Sequence, residues 1–295
     1  MDIRVLQYFL AVAKEESITK AATSLRMTQP PLSRQLKDLE DELGKQLLIR
    51  GSKKVTLTED GMLLRKRAEE LIELMEKTKA ELTSSDKNIG GEIYIGCGET
   101  EAISILSQSA QNLKKKYPLI RYHIYSGDAE RVLEKLDKGL IDFGLLVGKA
   151  DIAKYSFINL PIKDTWGVVM SKDSLLAKKQ YICSNDLLDK PLILSHQSSR
   201  NGDLLSWLKT DLSNLNVVAT YDLLYNAAQF AKTGFGYVIS LDKIINTGDD
   251  STLCFRPLFP KLEAELFIVW KKHQIFSKAS SKFLLQLKND IVASS

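Results

Sequence analysis

The sequence predicts an α/β chain with a small, mainly helical N-terminal domain that carries a two-stranded wing, then a long helix, then a two-lobed α/β domain. Three observations predict this. Short helical periodicities with capping residues fill residues 2–58, and apolar residues then recur in alternating steps of four and three from Leu64 to Leu82. Beyond residue 91, strand-like and helix-like segments alternate, and the alternation restarts between Thr165 and Asp242. The length of 295 residues, with 44% hydrophobic and 26% charged residues, suits a globular chain of about two domains and excludes fibrous and disordered classes.

In the first helix, Leu6, Phe9, Leu10 and Ala13 recur at helical spacing within Asp2 to Glu15. Ser17 offers an N-cap to a second helix over Ile18 to Leu25, whose small Ala21 and Ala22 allow close approach of a neighbour. Arg26-Met27-Thr28 makes a turn. Leu32, Leu36, Leu39 and Leu43 then define the buried stripe of a third helix, and Pro30 and Pro31 fit its first turn, where a missing N–H costs nothing. Leu47 to Ile49, Gly51-Ser52-Lys53-Lys54, and Val55 with Leu57 read as two short strands around a basic turn. Thr58 caps a long helix running to about Ser84, in which Leu64, Ala68, Leu71, Met75, Thr78 and Leu82 form a heptad seam, the pattern of a dimerisation arm.

Ser84 to Gly91 is polar and Gly-containing and reads as the linker. Strands follow at Glu92 to Gly96, Arg121 to Tyr125 and Ile141 to Val147, with helices at Ala102 to Tyr117 and Ala129 to Lys138. That alternation predicts parallel sheets covered by helices, with a ligand cleft between two lobes. The domain boundaries read as 1–58, 59–88 and 89–295, the last divided into a first lobe of about 91–160 plus 265–295 and a second lobe of about 161–264.

Charge and thiol content narrow the function. Lys+Arg 41 against Asp+Glu 37 gives a net charge of +4, which permits nucleic-acid binding without demanding it. No stretch approaches a bilayer-spanning apolar run, and Met1 to Lys14 carries Asp2, Arg4 and Lys14 rather than a basic end before an apolar block, so a cytoplasmic protein with no membrane partner is expected. Cys97, Cys183 and Cys254 are far apart, and His123, His196 and His273 are scattered singly, which argues against disulfide frameworks and metal sites. Gly96-x-Gly98 lacks the third glycine of a dinucleotide fingerprint, so no cofactor is expected.

From Ser17 to Lys37 there are four basic residues, Lys20, Arg26, Arg34 and Lys37, and no acid, whereas Glu15-Glu16 precede the stretch and Asp38, Glu40, Asp41 and Glu42 follow it. A recognition helix that enters the major groove by its N-terminal end needs this polarity, because dipole and cations meet phosphate while acids stay outside. Arg34 suits a bidentate contact to guanine, Gln29 suits adenine, and Ser33 suits a base edge or a phosphate. Arg50, Lys53 and Lys54 on the wing would meet phosphates or the minor groove.

These residues resemble a known family. Phe9-Leu10-Ala11-Val12-Ala13, Ser17-Ile18-Thr19-Lys20-Ala21-Ala22, Thr28-Gln29-Pro30-Pro31-Leu32-Ser33-Arg34-Gln35-Leu36, Leu39-Glu40, Leu43-Gly44 and Leu57-Thr58-Glu59-Asp60-Gly61 are similar to the winged helix-turn-helix of LysR-type transcriptional regulators. Two departures stand out: Leu48-Ile49 precedes Arg50 where the family has Leu-Phe, replacing an aromatic core residue, and Asp60 replaces a small residue before Gly61. The resemblance implies a bacterial, non-enzymatic regulator of double-stranded promoter DNA. It assigns DNA contact to Ser17, Thr19, Lys20, Thr28, Gln29, Pro30, Pro31, Ser33, Arg34, Gln35, Lys37, Arg50, Lys53 and Lys54. It also implies a homodimer through the long helix, a homotetramer as a dimer of dimers, and RNA polymerase among the partners.

The same resemblance implies an effector domain similar to type 2 periplasmic binding proteins, with a small molecule between its lobes. Thr100 would open the first helix of that domain, either bonding the effector or acting as a plain helix cap, and Glu99 and Glu101 beside it oppose an anion. Ser195, His196, Arg200 and Asn201 occupy a polar loop after the strand Leu192 to Ser195, where ligands bind in α/β folds. A redox role for the cysteines is not expected, since no resolving partner is visible. The competing reading, from another class, makes the α/β portion an enzyme or solute-binding module and the N-terminal segment a dimerisation device. It predicts turnover or solute binding without DNA affinity, yet the sequence offers no metal cluster, phosphate loop or nucleophile with its base.

Overall fold

The computed structural model describes residues 1–51, 54–83, 89–148, 152–197 and 202–294. Lys53 on the wing, most of the linker read at Ser84 to Gly91, and Arg200 and Asn201 therefore lie outside the described residues. The chain forms two compact units, Met1–Thr83 and Ser84–Ser295.

The first unit is built on local capping. Helix α1 (Ile3–Glu15) starts where the Asp2 carboxylate accepts the Arg4 N–H, and it buries Leu6, Phe9 and Val12. Helix α2 (Ile18–Ser24) starts at Ser17, whose hydroxyl accepts the Lys20 N–H at 3.3 Å, and buries Ala21 and Ala22 against α1. Arg26 closes the turn in the left-handed region at φ 56°. Helix α3 (Gln29–Leu43) buries Leu32, Leu36 and Leu39 and ends at Gly44 with φ 64°, a conformation that suits a residue without Cβ. Leu43, expected in the stripe, is 40% exposed because the last turn of α3 runs past the core.

Strands β1 (Leu48–Arg50) and β2 (Val55–Leu57) pair antiparallel, Leu48 opposite Leu57 and Arg50 opposite Val55. Leu48 is buried, while Ile49, expected in the core, is 49% exposed on the opposite face of the strand. Replacement of an aromatic residue there therefore leaves the core intact. Helix α4 (Glu59–Thr83) starts at Thr58, whose Oγ1 accepts the Gly61 N–H and donates to the Gln46 carbonyl. Asp60 in its first turn lies 3.4 Å from Lys45 and suits the positive end of the helix dipole. Helix α4 packs on α1 and buries Ala68.

The second unit holds two five-strand sheet paths. The first contains β3 (Gly91–Cys97), β4 (Ile120–Ser126), β5 (Phe143–Val147), β6 (Tyr155–Asn159) and β13 (Leu266–Lys271), in the order β4-β3-β5-β13-β6. Helices α5 (Ile103–Lys116) and α9 (Lys278–Ser294) pack together, with α9 also on β3, and α6 (Ala129–Asp137) covers a second core of Val132, Leu136, Ile141, Leu146 and Val269. The second sheet contains β7 (Asp164–Ser171), β8 (Leu192–Ser195), β9 (Val217–Tyr221), β10 (Tyr237–Leu241) and β11 (Leu253–Pro257), in the order β11-β7-β10-β8-β9, with β12 (Glu263–Ala264) on β7. Helices α7 (Gly202–Leu208) and α8 (Leu224–Lys232) join this lobe.

Both sheets are mixed rather than parallel. In the first, β13 runs antiparallel to β5 and β6; in the second, β7 runs antiparallel to β10, β11 and β12. The antiparallel strands are those next to the two chain crossings, β6 to β7 and β12 to β13, where the backbone enters each sheet from the other lobe without a helical crossover.

Candidate nucleic-acid interface and inter-lobe cavity

The N-terminal end of α3 presents the predicted groups together. Thr28, Gln29, Pro30, Pro31, Arg34, Gln35 and Lys37 are exposed and Ser33 is half-buried, while the leucines of the same helix face the core. Thr19 and Lys20 are exposed on α2, and Ser17 is half-buried because it caps that helix. No side chain caps α3 at Thr28, and Pro30 and Pro31 carry no N–H, so its first turn leaves few backbone donors uncapped.

The wing cations are held differently. Lys54 lies 3.3 Å from Glu16, and Arg50 lies 3.9 Å from Glu40. Glu40, whose place in the sequence is merely outside the basic stretch, ties the start of the wing to α3. Its Oε1 accepts the Leu47 N–H at 2.7 Å and the Leu48 N–H at 2.9 Å. Along α4, Leu71, Leu74 and Leu82 are 42%, 38% and 81% exposed and, with Met75, line an open apolar groove; Leu71, Met75 and Leu82 belong to the seam read from the sequence.

In the second unit a cavity of about 260 Å³ opens at the carboxyl ends of the parallel strands of both lobes. Gly98 and Glu99 follow β3, Gly127 and Asp128 follow β4, Val147 ends β5, Ser195 ends β8 with His196 after it, and Tyr221 ends β9 with Asp222 after it. Among the described residues, polar links cross from lobe to lobe around it. Glu99 accepts the Leu224 N–H at 2.6 Å, the Gln197 side chain donates to the Val147 carbonyl at 3.1 Å, Arg131 lies 3.6 Å from Asp222, and Thr100 donates to Asp164 at 2.5 Å. Burial pushes the Glu99 carboxyl up, partly offset by the Leu224 N–H, and burial likewise pushes Asp164 up, partly offset by Thr100.

Of the predicted effector residues, Ser195 and His196 line the cavity, and His196 approaches the Thr220 hydroxyl at 3.5 Å. Thr100 is buried; its Oγ1 accepts the Ala102 N–H, so it caps the chain before α5 and pins Asp164 rather than lining the cavity. Sequence reasoning missed Asp128, Arg131, Gln197, Tyr221 and Asp222. Asp128, Gln197, Tyr221 and Asp222 end or closely follow strands and Arg131 lies in the first turn of α6, but which ends converge depends on strand order.

The cysteines are all free, Cys97 and Cys254 buried and Cys183 half-buried. Burial pushes the Cys97 thiol up, with the Glu99 charge adding to it, and burial pushes Cys254 up. Among the described residues no helix is long and apolar enough to cross a membrane, and no His, Cys, Asp and Glu side chains gather as a metal-holding group.

Comparison with known proteins agrees across the chain. The family model of the bacterial regulatory helix-turn-helix protein, lysR family, matches residues 3–62, and that of the LysR substrate binding domain matches residues 87–291. The HTH-type transcriptional regulator BsdA of Bacillus subtilis (strain 168) is 38% identical over 143 residues, 48% of this chain and 49% of BsdA. The hydrogen peroxide-inducible genes activator of Pectobacterium carotovorum subsp. carotovorum is 29% identical over 195 residues, 66% of this chain and 64% of that protein. The matched stretches thus span about half to two thirds of these curated relatives. The crystal structure of full-length CbnR complexed with its target DNA superposes with a TM-score of 0.78 at 18% identity, over 98% of this chain and 100% of that one.

Proposed function

Because this chain belongs to the LysR family of bacterial regulators, we propose that it is a sequence-specific transcriptional regulator that binds double-stranded promoter DNA and responds to a small molecule held between its two α/β lobes. The observation that carries the reading is the exposed, acid-free start of α3, with Gln29, Ser33 and Arg34 on a helix whose opposite face is locked in the core. In the major groove, Arg34 would read guanine, Gln29 adenine, and Lys20 and Lys37 would meet phosphate. Arg50, Lys53 and Lys54 would hold the flanking backbone. The open leucine groove on α4 supports a homodimer through that helix, and family membership supports a dimer of dimers that works in the cytoplasm and meets RNA polymerase at the promoter.

In the second unit, Ser195 and His196 at the end of β8 support effector binding in the cavity, with Arg200 and Asn201 next in sequence. Thr100 acts as a pin between the lobes through Asp164. Effector binding would change the closure of the lobes and, through the assembly, the spacing of the DNA-reading helices, a shift between two populations.

Fluorescence anisotropy on the duplex upstream of the chain's own gene and on a scrambled duplex, across a salt series, tests the DNA reading. Tight, salt-dependent binding that prefers the native duplex supports it. Equal weak binding to both duplexes, together with failure to select any sequence from random DNA, overturns it.

A further inference from the structure

Two helix N-termini open onto the inter-lobe cavity, and each is already met by a carboxylate of the chain itself. Asp128 caps α6 by accepting the Arg131 N–H at 2.9 Å. Glu99 reaches from the first lobe to accept the Leu224 N–H, the first of α8, at 2.6 Å. A helix N-terminus attracts anions through its unsatisfied N–H groups and its dipole, so these are the seats an anionic ligand would take. Here they are occupied from within.

The charge around the cavity points the same way. Among its described lining residues Glu99, Asp128 and Asp222 stand against Arg131, and Arg131 lies 3.9 Å from Asp128 and 3.6 Å from Asp222. An incoming carboxylate would add a like charge beside the half-buried Glu99 with no unengaged cation among these residues to meet it. A protonated amine or guanidinium would instead donate charge-assisted hydrogen bonds to carboxylates contributed by both lobes. The apolar part of such a ligand has Val147, Leu241 and Ile244 to lie against. At about 260 Å³ the space falls below the roughly 300–1,000 Å³ of drug-sized sites and calls for a compact molecule.

Resting on the reading of this cavity as the effector site, we propose that its ligand is a small organic cation, an amine or guanidinium compound, bridged between Glu99 of the first lobe and Asp222 of the second. Such a bridge ties carboxylates of opposite lobes together, so the ligand favours the closed cleft.

Calorimetric titration of the full-length protein with agmatine and putrescine, and with succinate and glutarate as anionic probes of similar length, tests this. The expected result is binding of the cationic probes alone, weakened about tenfold or more in Glu99→Gln and in Asp222→Asn, each checked for native circular dichroism. Asp222 is exposed, so its variant keeps the proposal falsifiable if Glu99→Gln fails to fold. Preferential binding of the dicarboxylates, no binding of either amine, or amine binding that survives in both variants overturns the proposal. Footprints on operator DNA separate it from the parent reading. An amine that binds through Glu99 yet leaves the footprint unchanged supports the ligand chemistry and removes the effector role, whereas a dicarboxylate that binds and shifts the footprint keeps the effector role and removes the cation.

Discussion

Arg34 and Glu40 lie on the same helix, and their surroundings assign them opposite work. Glu40 has its carboxylate turned to the Leu47 and Leu48 N–H groups, whereas Arg34 is exposed near the start of α3. Glu40→Ala leaves two half-buried donors without that acceptor, and a loss of about 1 to 3 kcal/mol of stability is expected in urea titration. Arg34→Ala should leave stability unchanged, cost about 1 to 3 kcal/mol of binding to the specific duplex and relax discrimination at one base pair. Lys54→Ala should weaken native and scrambled duplexes alike and flatten the salt slope by about one, because a phosphate contact carries no sequence information. Equal losses on both duplexes for Arg34→Ala would remove it from the base-reading role. The thiols follow from burial: Cys97 and Cys254, both pushed up, should resist alkylation at neutral pH until the protein unfolds, with Cys183 modified first.

At the scale of elements, the entry to α4 is the most constrained join in the first unit. A Cβ at Gly61 would lie 2.2 Å from the Leu47 carbonyl oxygen, a backbone atom that cannot step aside without moving the wing. Gly61→Ala is therefore expected to lower stability by about 1 to 3 kcal/mol, read as a reduced urea midpoint at unchanged slope. Further along α4 the exposed Leu71, Leu74 and Leu82 are the edge of the chain's own packing. Leu74→Glu should shift the molar mass in light scattering toward monomer and weaken operator binding with it; an unchanged mass would exclude this face from the dimer. The helices of the first unit were legible because their start signals are local: Ser17 and Thr58 lie beside the helix starts they set. Ile49 was misjudged because β1 is short, and which of its two faces meets the core depends on its pairing with β2.

At the scale of the molecule, the cleft ties stability to pH. Glu99 and Asp164 both have their proton affinity raised by burial, Asp164 against the opposing Thr100 hydrogen bond and with Glu101, Lys243 and Asp242 nearby. The folded state thus holds these protons to higher pH than the unfolded chain does. Their contribution to stability is greatest below the ordinary carboxylate range and declines as pH rises from about 4 through the raised values. Thermal unfolding followed from pH 4 to 7 should show this decline, and Asp164→Asn should flatten it. A wild-type profile with no decline, or a variant profile with the same slope, would exclude these groups as its source.

The local pattern alone determined the helices and wing of the first unit, the strands and helices from Glu92 to Val147, the basic and acid-free start of α3 and the heptad seam on α4, because each depends on residues near in sequence. It also marked the polar loop at Ser195 and His196. Tertiary structure decided what depends on residues far apart: the mixed direction of both sheets, set where the chain crosses between lobes, and the convergence of Glu99, Asp128, Arg131 and Asp222 on one cavity. It decided too that Thr100 turns to Asp164 and Glu99 to Leu224, since a hydrogen bond across 64 or 125 residues leaves no periodicity for a sequence to carry.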